Sequence, residues 1–472
     1  MEDKIVKNHF NNENLLYLFW AIPVIEVILY PSTIGNSLTI IIPILYTIYS
    51  FLRQGNKILV HSIPFFCLLS PIGQRYGDTL YSEFFLILIV IVVVLKLFSG
   101  KKFFINRNEL PIFMMFCFFI ISYATSFHYQ ELWKGLLNGI FLSSSFIITR
   151  IYIRNINDIL SFIWSYAMAV CLATVLMVSF YFYGIRLNDL NGNIDIFNLI
   201  NDPSNLVVNR GLDGLMNASA TYFYTGIFYI LSSTIVLIPI FFIYAKSLNQ
   251  KIQIIFLSII IITGVIYNFN KTAIIALTIV ATIYLFRGFF KKSVVYVFSI
   301  LSISIFAIWI FTLQAAFSYR GFELSSLYAR FNVYQSSLSV LLDNIYILAF
   351  GLGPESAFRL EDNRIYEEAK THSGISEGAI DSAYFSYLFE YGIFFVLIFL
   401  IYGVSMMYQL LIKNKNLIRN KNFQSIKFSF GLLFFTIYLM CVTQVLGLGK
   451  MAILIFQLFA CSHVLINLKK QK

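Results

Sequence analysis

Side chains that could bind an anion are concentrated in two long polar stretches, residues 184–218 and 314–382. The planar guanidinium of arginine can grip a phosphate or a carboxylate through two parallel hydrogen bonds. These stretches contain Arg186, Arg210, Arg320, Arg330, Arg359 and Arg364. Any one of them could instead pair with a neighbouring Asp or Glu. As a set, they indicate a surface that binds an anion.

Candidates for proton transfer lie near the end of the second stretch. His372 stands in Thr371-His372-Ser373-Gly374, and Asp381 follows shortly after. Either side chain could accept a proton from a hydroxyl, although His372 could equally be an ordinary polar loop residue. Gly351-Leu352-Gly353-Pro354 is read as a turn after a helix, with a phosphate cradle of backbone amides as the weaker alternative. These stretches contain no DxD, and the chain has no Walker A or HExxH motif, so neither a metal nor a nucleotide site is predicted.

The composition shows what kind of scaffold must position these groups. Of 472 residues, 59% are hydrophobic and only 12% are charged, whereas soluble domains carry roughly 25% charged residues. The mean hydropathy is +0.78. A soluble globule is therefore excluded, and we expect an all-α polytopic membrane protein.

Apolar runs long enough to cross a bilayer recur along the whole chain. We predict fourteen crossings, with both termini in the cytoplasm, at residues 14–30, 34–52, 58–72, 80–98, 110–128, 133–153, 159–183, 219–244, 253–268, 271–287, 293–313, 383–411, 428–447 and 450–467. The third crossing could be a re-entrant piece, because Pro64 and Pro71 interrupt it. The ninth and tenth could form a hairpin or one broken span.

The distribution of basic residues supports this orientation. Of the 34 Lys and Arg residues, 23 fall on the predicted cytoplasmic side, as the positive-inside rule requires. The net charge of +11 is thus mainly a topology signal. Arginine makes up seven of the eleven basic residues outside but only six of the 23 inside, which again favours anion binding outside.

The chain accordingly divides into five parts. They are an N-terminal bundle (1–183), a medium outer loop (184–218), central helices (219–313), a large outer loop (314–382) and C-terminal helices (383–472). Apolar residues at helical spacing from Leu324 to Leu341 predict an amphipathic helix in the large loop. An irregular acidic stretch should follow the glycine turn.

Few charged residues interrupt the apolar runs. Glu26, Glu83 and Lys96 lie near predicted helix ends, where snorkelling or pairing explains them, whereas Glu390 lies inside a run. This scarcity argues against an ion-coupled transporter. The five cysteines fall in apolar runs, without metal-site spacing, and are expected to be packing residues.

Four short motifs resemble the bacterial O-antigen polymerase (Wzy) family and, more distantly, the O-antigen ligases. They are Asn209-Arg210-Gly211-Leu212 with Asn217, Asn270-Lys271-Thr272-Ala273, the series from Arg330 through Tyr334 and Asp343-Asn344 to Phe350-Gly351-Leu352-Gly353, and Asp381-Ser382-Ala383-Tyr384 with Leu388-Phe389-Glu390-Tyr391-Gly392-Ile393. The resemblance covers roughly residues 205–400, and the rest of the chain agrees only in hydropathy. The ligases usually carry a His-Asn pair where this chain has Asp381, a departure that favours a polymerase.

The resemblance implies a multi-pass protein of the bacterial inner membrane whose periplasmic loops join undecaprenyl-pyrophosphate-linked glycans. Arg210 and Arg330, with Lys271 or Arg320, would hold the leaving pyrophosphate, and His372 or Asp381 would accept the proton. Tyr384 and Glu390 would contact the substrate. The donor is already activated, so no cofactor or metal is implied. Membrane lipids and a polysaccharide chain-length regulator are the implied partners, and nucleic acid is not.

Three other functions remain open. An O-antigen ligase would use the same donor, with lipid A core as acceptor. A lipid-linked oligosaccharide flippase would have many helices but usually lacks one dominant outer loop. A scaffold protein would leave the external arginines unexplained.

Overall fold

The structure, a computed structural model, describes residues 2–30, 38–69, 80–99, 107–124, 132–183, 227–245, 247–268, 271–285, 341–342, 345–351, 353, 382–412, 421–441 and 450–468. Within these residues the chain forms helices and no strand. The helices are α1 (Glu2–Leu29), α2 (Ile41–Gln54), α3 (Lys57–Leu68), α4 (Leu80–Phe98), α5 (Leu110–Ala124), α6 (Leu132–Tyr152), α7 (Ile156–Tyr183), α8 (Ile227–Tyr244), α9 (Leu248–Asn268), α10 (Lys271–Leu285), α11 (Ile345–Phe350), α12 (Ala383–Met407), α13 (Lys421–Met440) and α14 (Lys450–Asn467). A 3-10 turn (Leu38–Ile40) precedes α2, and a π-helical turn (Tyr408–Ile412) follows α12.

The predicted class, an all-helical polytopic membrane protein, agrees with these helices. In the described part of the chain, α7, α8, α9, α12 and α13 are long and apolar enough to cross a membrane, and the apolar segments of the other helices are shorter. A helix overlaps each predicted crossing except 293–313, which lies outside the described residues. The total of fourteen crossings and their orientation stay predictions.

The ninth and tenth crossings form two helices, α9 and α10, and both pack against α8. Helix α9 begins at Leu248, ahead of the predicted start, because Ser247 and Gln250 form a capping box. The Gln250 amide donates to Ser247 Oγ and the Ser247 amide donates to Gln250 Oε1, each over 3.2 Å. The spacing of Ser and Gln at this position is a helix-start signal that hydropathy alone does not register.

The third predicted crossing is a short interior helix. Every residue from Ile58 to Leu69 is buried, and α3 packs against α2, α4, α6, α7 and α14. Its twelve residues span about 18 Å at 1.5 Å per residue, well short of a hydrocarbon core of about 30 Å. Protein rather than lipid therefore surrounds α3.

One end of the bundle carries buried and half-buried ion pairs. Arg150 Nε lies 2.6 Å from Glu109 Oε1, and the Glu109 side chain is fully buried. Lys57 Nζ lies 2.6 Å from Asp158 Oδ1 at the start of α7. All four residues stand at helix ends that the sequence assigned to the cytoplasmic side.

The beginnings of α8 and α12 meet the end of α13 at another end, which we call the loop end. Tyr229 of α8 donates its hydroxyl to Cys441 Sγ over 3.7 Å. The Ala383 amide, at the first residue of α12, donates to the Cys441 carbonyl over 3.1 Å. The chain therefore comes from the medium stretch and from the large stretch into the bundle at the same end.

Much of what the sequence predicted for the two stretches lies outside the described residues. The predicted amphipathic helix is described only at residues 341–342, which are helical, and Leu341 is buried. The predicted turn is described at Gly351 and Gly353, and both have positive φ, of 78° and 102°. The acidic stretch that should follow is outside the described part.

Candidate functional site

The beginning of α12 is anchored to the end of α13 by backbone and hydroxyl hydrogen bonds. Beside the Ala383 amide, Ser382 Oγ donates to the Cys441 carbonyl over 3.4 Å. Tyr384 Oη donates to the Tyr438 carbonyl over 2.9 Å. These carbonyls lie in and just after the last turn of α13, where helical partners are missing. The first residues after the large stretch are thereby held in one place.

Tyr384, predicted to contact substrate, has its hydroxyl engaged within the protein. Its ring is half-buried and lies 6.2 Å from that of Phe399. The partly exposed ring is the surface that Tyr384 can offer to a ligand. One turn further along, Tyr387 is buried among Phe395 and Phe399, with ring centroids 5.3 and 5.4 Å away.

Glu390, also predicted to contact substrate, is buried in the interior of α12. Only 5% of the residue is exposed, and Ser386 Oγ donates to Glu390 Oε1 over 3.5 Å. A carboxylate within an apolar span costs about 3 kcal/mol on insertion scales, so such residues usually have a functional reason. Glu390 is the eighth residue of α12 and lies two residues before a break in that helix, whereas Glu26 and Lys96 lie in the last turns of α1 and α4.

The backbone of α12 breaks directly after Glu390. Gly392 has φ 79° and ψ 177° inside the helix, a region that is essentially restricted to glycine. The residues that lead into the break, Phe389 to Gly392, are buried, and buried backbone is where non-helical structure is tolerated at membrane depth. Ile393 and Phe394, directly after the break, are exposed. Phe119 of α5 covers the break, with its ring 5.1 Å from Tyr391 and 5.2 Å from Phe395.

The glycine turn after α11 packs against this break. The Gly353 amide donates to the Glu390 carbonyl over 3.1 Å. This bond removes the Gly353 amide from the weaker alternative for the turn, because an amide engaged with a protein carbonyl does not form part of a phosphate cradle. The turn instead joins the large stretch to the Glu390 backbone carbonyl of α12.

The side chains of the other predicted site residues lie outside the part of the chain that the structure describes. Lys271 is the first residue of α10, and its side chain lies outside the described part. Arg210, Arg320, Arg330, His372 and Asp381 lie outside the described residues altogether. Of the predicted set, the structure therefore describes Tyr384 and Glu390, two turns apart on one helix.

Sequence reasoning missed the contacts of Tyr387, Gly392 and Cys441 at this site. A glycine in an apolar helical pattern indicates a helix break or the close approach of another backbone, so the break at Gly392 could have been predicted. No sequence signal marks Cys441, whose contribution is a backbone carbonyl that accepts two hydrogen bonds.

Comparison with known families covers this part of the chain. Residues 256–400 match the family described as O-antigen ligase, a segment that runs from α9 to the middle of α12. It contains Lys271, Arg320, Arg330, His372 and Asp381, together with Tyr384, Glu390 and the glycine turn. No curated protein matches the chain significantly. The resemblance that the sequence motifs indicated is thus confirmed over residues 256–400, where the chain is similar to the O-antigen ligase family.

Proposed function

We propose that the protein is an O-antigen, or surface-polysaccharide, polymerase of the bacterial inner membrane. It joins undecaprenyl-pyrophosphate-linked repeat units at the periplasmic face. The match of residues 256–400 to the O-antigen ligase family carries this proposal. That match supports a role in glycan processing in general. The choice of a polymerase over a ligase rests on Asp381, which stands where the ligases usually carry a His-Asn pair.

The reaction is a glycosyl transfer. A terminal hydroxyl of the incoming repeat unit attacks the anomeric carbon of the growing chain. The new carbon–oxygen bond replaces the bond to the pyrophosphate, and undecaprenyl pyrophosphate leaves with the electron pair. The hydroxyl proton passes to His372 or Asp381, the candidate general bases.

The arginines stabilise the leaving group. Charge develops on the pyrophosphate as the bond breaks, and fixed cations there lower the barrier. Arg210 and Arg330, with Lys271 or Arg320, fill this role. The meeting of α8 and α12 at the loop end supports it, because Arg210 precedes α8 and Arg330 precedes α12 along the chain.

The helix surfaces receive the lipid part of the substrates. The polyprenyl tails lie in the bilayer beside apolar helix faces, such as the exposed Ile255, Phe256 and Ile259 of α9. The half-buried Tyr384 ring provides a face for a sugar, and Glu390 follows six residues further along α12.

An O-antigen ligase is the second candidate, favoured by the description of the matching family. The ligase would use the same donor and the same leaving group. It differs in its acceptor, which would be the lipid A core. Asp381, standing where ligases usually have a His-Asn pair, favours the polymerase.

Complementation of defined strains separates these functions. A polymerase restores a ladder of long O-chains to a polymerase-deficient strain, seen when the lipopolysaccharide is run on a gel. A ligase leaves the single-repeat pattern there and restores O-chain attachment in a ligase-deficient strain. A flippase does neither and rescues a strain that accumulates repeat units in the cytoplasm.

A further inference from the structure

Two glycines from distant parts of the chain meet backbone to backbone at the loop end. A β-carbon on Gly392 would overlap the Ala349 carbonyl, and one on Gly351 would overlap the Glu390 carbonyl. The contact therefore excludes a side chain on both sides. We call this contact, together with the hydrogen bond from Gly353 to Glu390, the glycine latch.

The latch compensates for the break in α12. In an uninterrupted helix the amide four residues on, that of Phe394, would reach the Glu390 carbonyl. The Gly353 amide brings a donor to this carbonyl from outside the helix. An unsatisfied carbonyl in the membrane costs several kcal/mol, so break and turn depend on each other.

The two halves of the latch flank some of the proposed site residues in the chain. Arg210, Lys271, Arg320 and Arg330 precede its first half, Gly351 and Gly353, and His372 and Asp381 lie between that half and Gly392. The latch also adjoins the Glu390 carboxylate on α12. The contact ties Gly353 to α12 at Glu390.

We propose that Gly351 and Gly392 are positioning residues for glycan transfer. Their contact fixes Gly351 and Gly353 relative to the Glu390 backbone, so that the proton acceptor meets the bound donor in one geometry. This inference rests on the proposed function and adds to it residues that do not touch substrate. A misplacement of about 1 Å can cost about a hundredfold in rate.

The test compares Gly351→Ala and Gly392→Ala with a matched control. Gly55→Ala also places alanine at a positive φ, of 83°, but no atom lies within 4 Å of the added carbon. It therefore introduces the backbone strain without the overlap. The purified full chain is assayed for repeat-unit joining, binding of the lipid-linked donor and thermal unfolding.

Both latch variants should lower kcat about tenfold or more, whereas KM changes by less than about threefold. The amount of donor bound per mole of protein should stay the same. The double variant should be about as slow as the slower single variant, because both substitutions remove one contact. Gly55→Ala should match the unsubstituted protein.

Cross-linking tests the contact between the two halves of the latch independently of the transfer activity. The rings of Phe350 and Phe394 lie 6.3 Å apart across the latch, and both side chains are exposed. Phe350→Cys with Phe394→Cys, in a Cys117→Ser background, is treated with a short thiol-reactive cross-linker. Either latch variant should slow the cross-link, and Gly55→Ala should leave its rate unchanged.

Several results would overturn the inference. An unchanged cross-linking rate would show that alanine leaves the contact intact, and slower cross-linking with normal transfer would show that the contact does not position the site. Loss of bound donor together with a lower unfolding temperature would reduce the latch to a structural role. If the unsubstituted protein transfers no glycan, the proposed function fails and the positioning role fails with it, while the cross-link still reports whether the contact exists.

Discussion

Glu390 and Tyr384 differ in what they can offer to a ligand. The Tyr384 hydroxyl is engaged with the Tyr438 carbonyl, which leaves its ring. The Glu390 carboxylate is buried, with the Ser386 hydroxyl 3.5 Å away. Since burial of a charge opposes folding, packing alone does not explain a glutamate at this position.

Replacing the Glu390 carboxylate by an amide separates its charge from its shape. Glu390→Gln should unfold at the same temperature or higher, because a neutral amide costs less to bury than a carboxylate. Transfer should fall about tenfold or more if the charge acts on substrate. Ser386→Ala serves as the control, since it removes the neighbouring hydroxyl and keeps the charge. Normal transfer by Glu390→Gln would assign the carboxylate a structural role.

The loop arginines should be needed for the reaction rather than for the fold. Arg210→Ala and Arg330→Ala should each abolish long O-chains, because the leaving pyrophosphate loses a cation. Both variants should stay in the membrane at normal amounts, as shown by immunoblotting of membrane fractions. Arg53→Ala is the matched control, since Arg53 is exposed in the last turn of α2 and bonds Tyr49 Oη over 2.7 Å. Normal ladders from both loop variants would contradict the assignment of Arg210 and Arg330 to the leaving pyrophosphate.

At the scale of elements, α12 and α13 are clamped together by one tyrosine. The Tyr438 hydroxyl donates to the Phe399 carbonyl over 2.7 Å, and its ring stacks on Phe399 at 4.5 Å. The ring lies directly over Gly403, where a β-carbon would overlap it. Close helix contact in membranes relies on such small residues. The clamp keeps the Tyr438 carbonyl under Tyr384 and so supports the start of α12.

Filling the space at Gly403 should therefore weaken this helix pair. Gly403→Ala should destabilise the protein by about 1–3 kcal/mol, the usual cost of overpacking, read as a lower unfolding temperature in detergent. Gly139→Ala is the comparison, because its added carbon would lie at an ordinary 3.4 Å from Phe119 Cβ. Equal unfolding temperatures for the two variants would show that the Tyr438 ring moves aside without cost.

At the scale of the whole molecule, polar groups separate towards different ends. Ion pairs of α3, α5, α6 and α7 gather at helix ends assigned to the cytoplasm, and the two long stretches join the bundle at the loop end. The positive-inside count predicts which end faces which compartment.

Thiol labelling in intact spheroplasts tests that orientation. Ser204→Cys and Ser373→Cys, in the two long stretches, should react with a membrane-impermeant maleimide added from outside. Ser247→Cys, in the capping box of α9, should react only after permeabilisation. Cys117→Ser provides the background, since Cys117 is the exposed cysteine of the described part. The reverse labelling pattern would invert the topology and place the proposed site in the cytoplasm.

Hydropathy predicted most helices because a bilayer demands long apolar segments whatever their neighbours. It missed boundaries that depend on local hydrogen bonds, as at Ser247. It also could not tell that α3 is enclosed by protein, because an apolar run looks the same facing lipid or facing other helices. For the site, its position inside an apolar run singled out Glu390 as a candidate, but the sequence did not predict which residues surround it.

The sequence by itself determined the class of protein, the helical segments and the family resemblance, since these follow from composition, length and short motifs. Only the tertiary structure decided that Gly351 and Gly392 meet, that Tyr384 is tied to Tyr438, and that α8 and α12 begin beside Cys441. These contacts join residues about forty to two hundred positions apart. Such pairings depend on how the helices pack, which no local pattern in one sequence encodes.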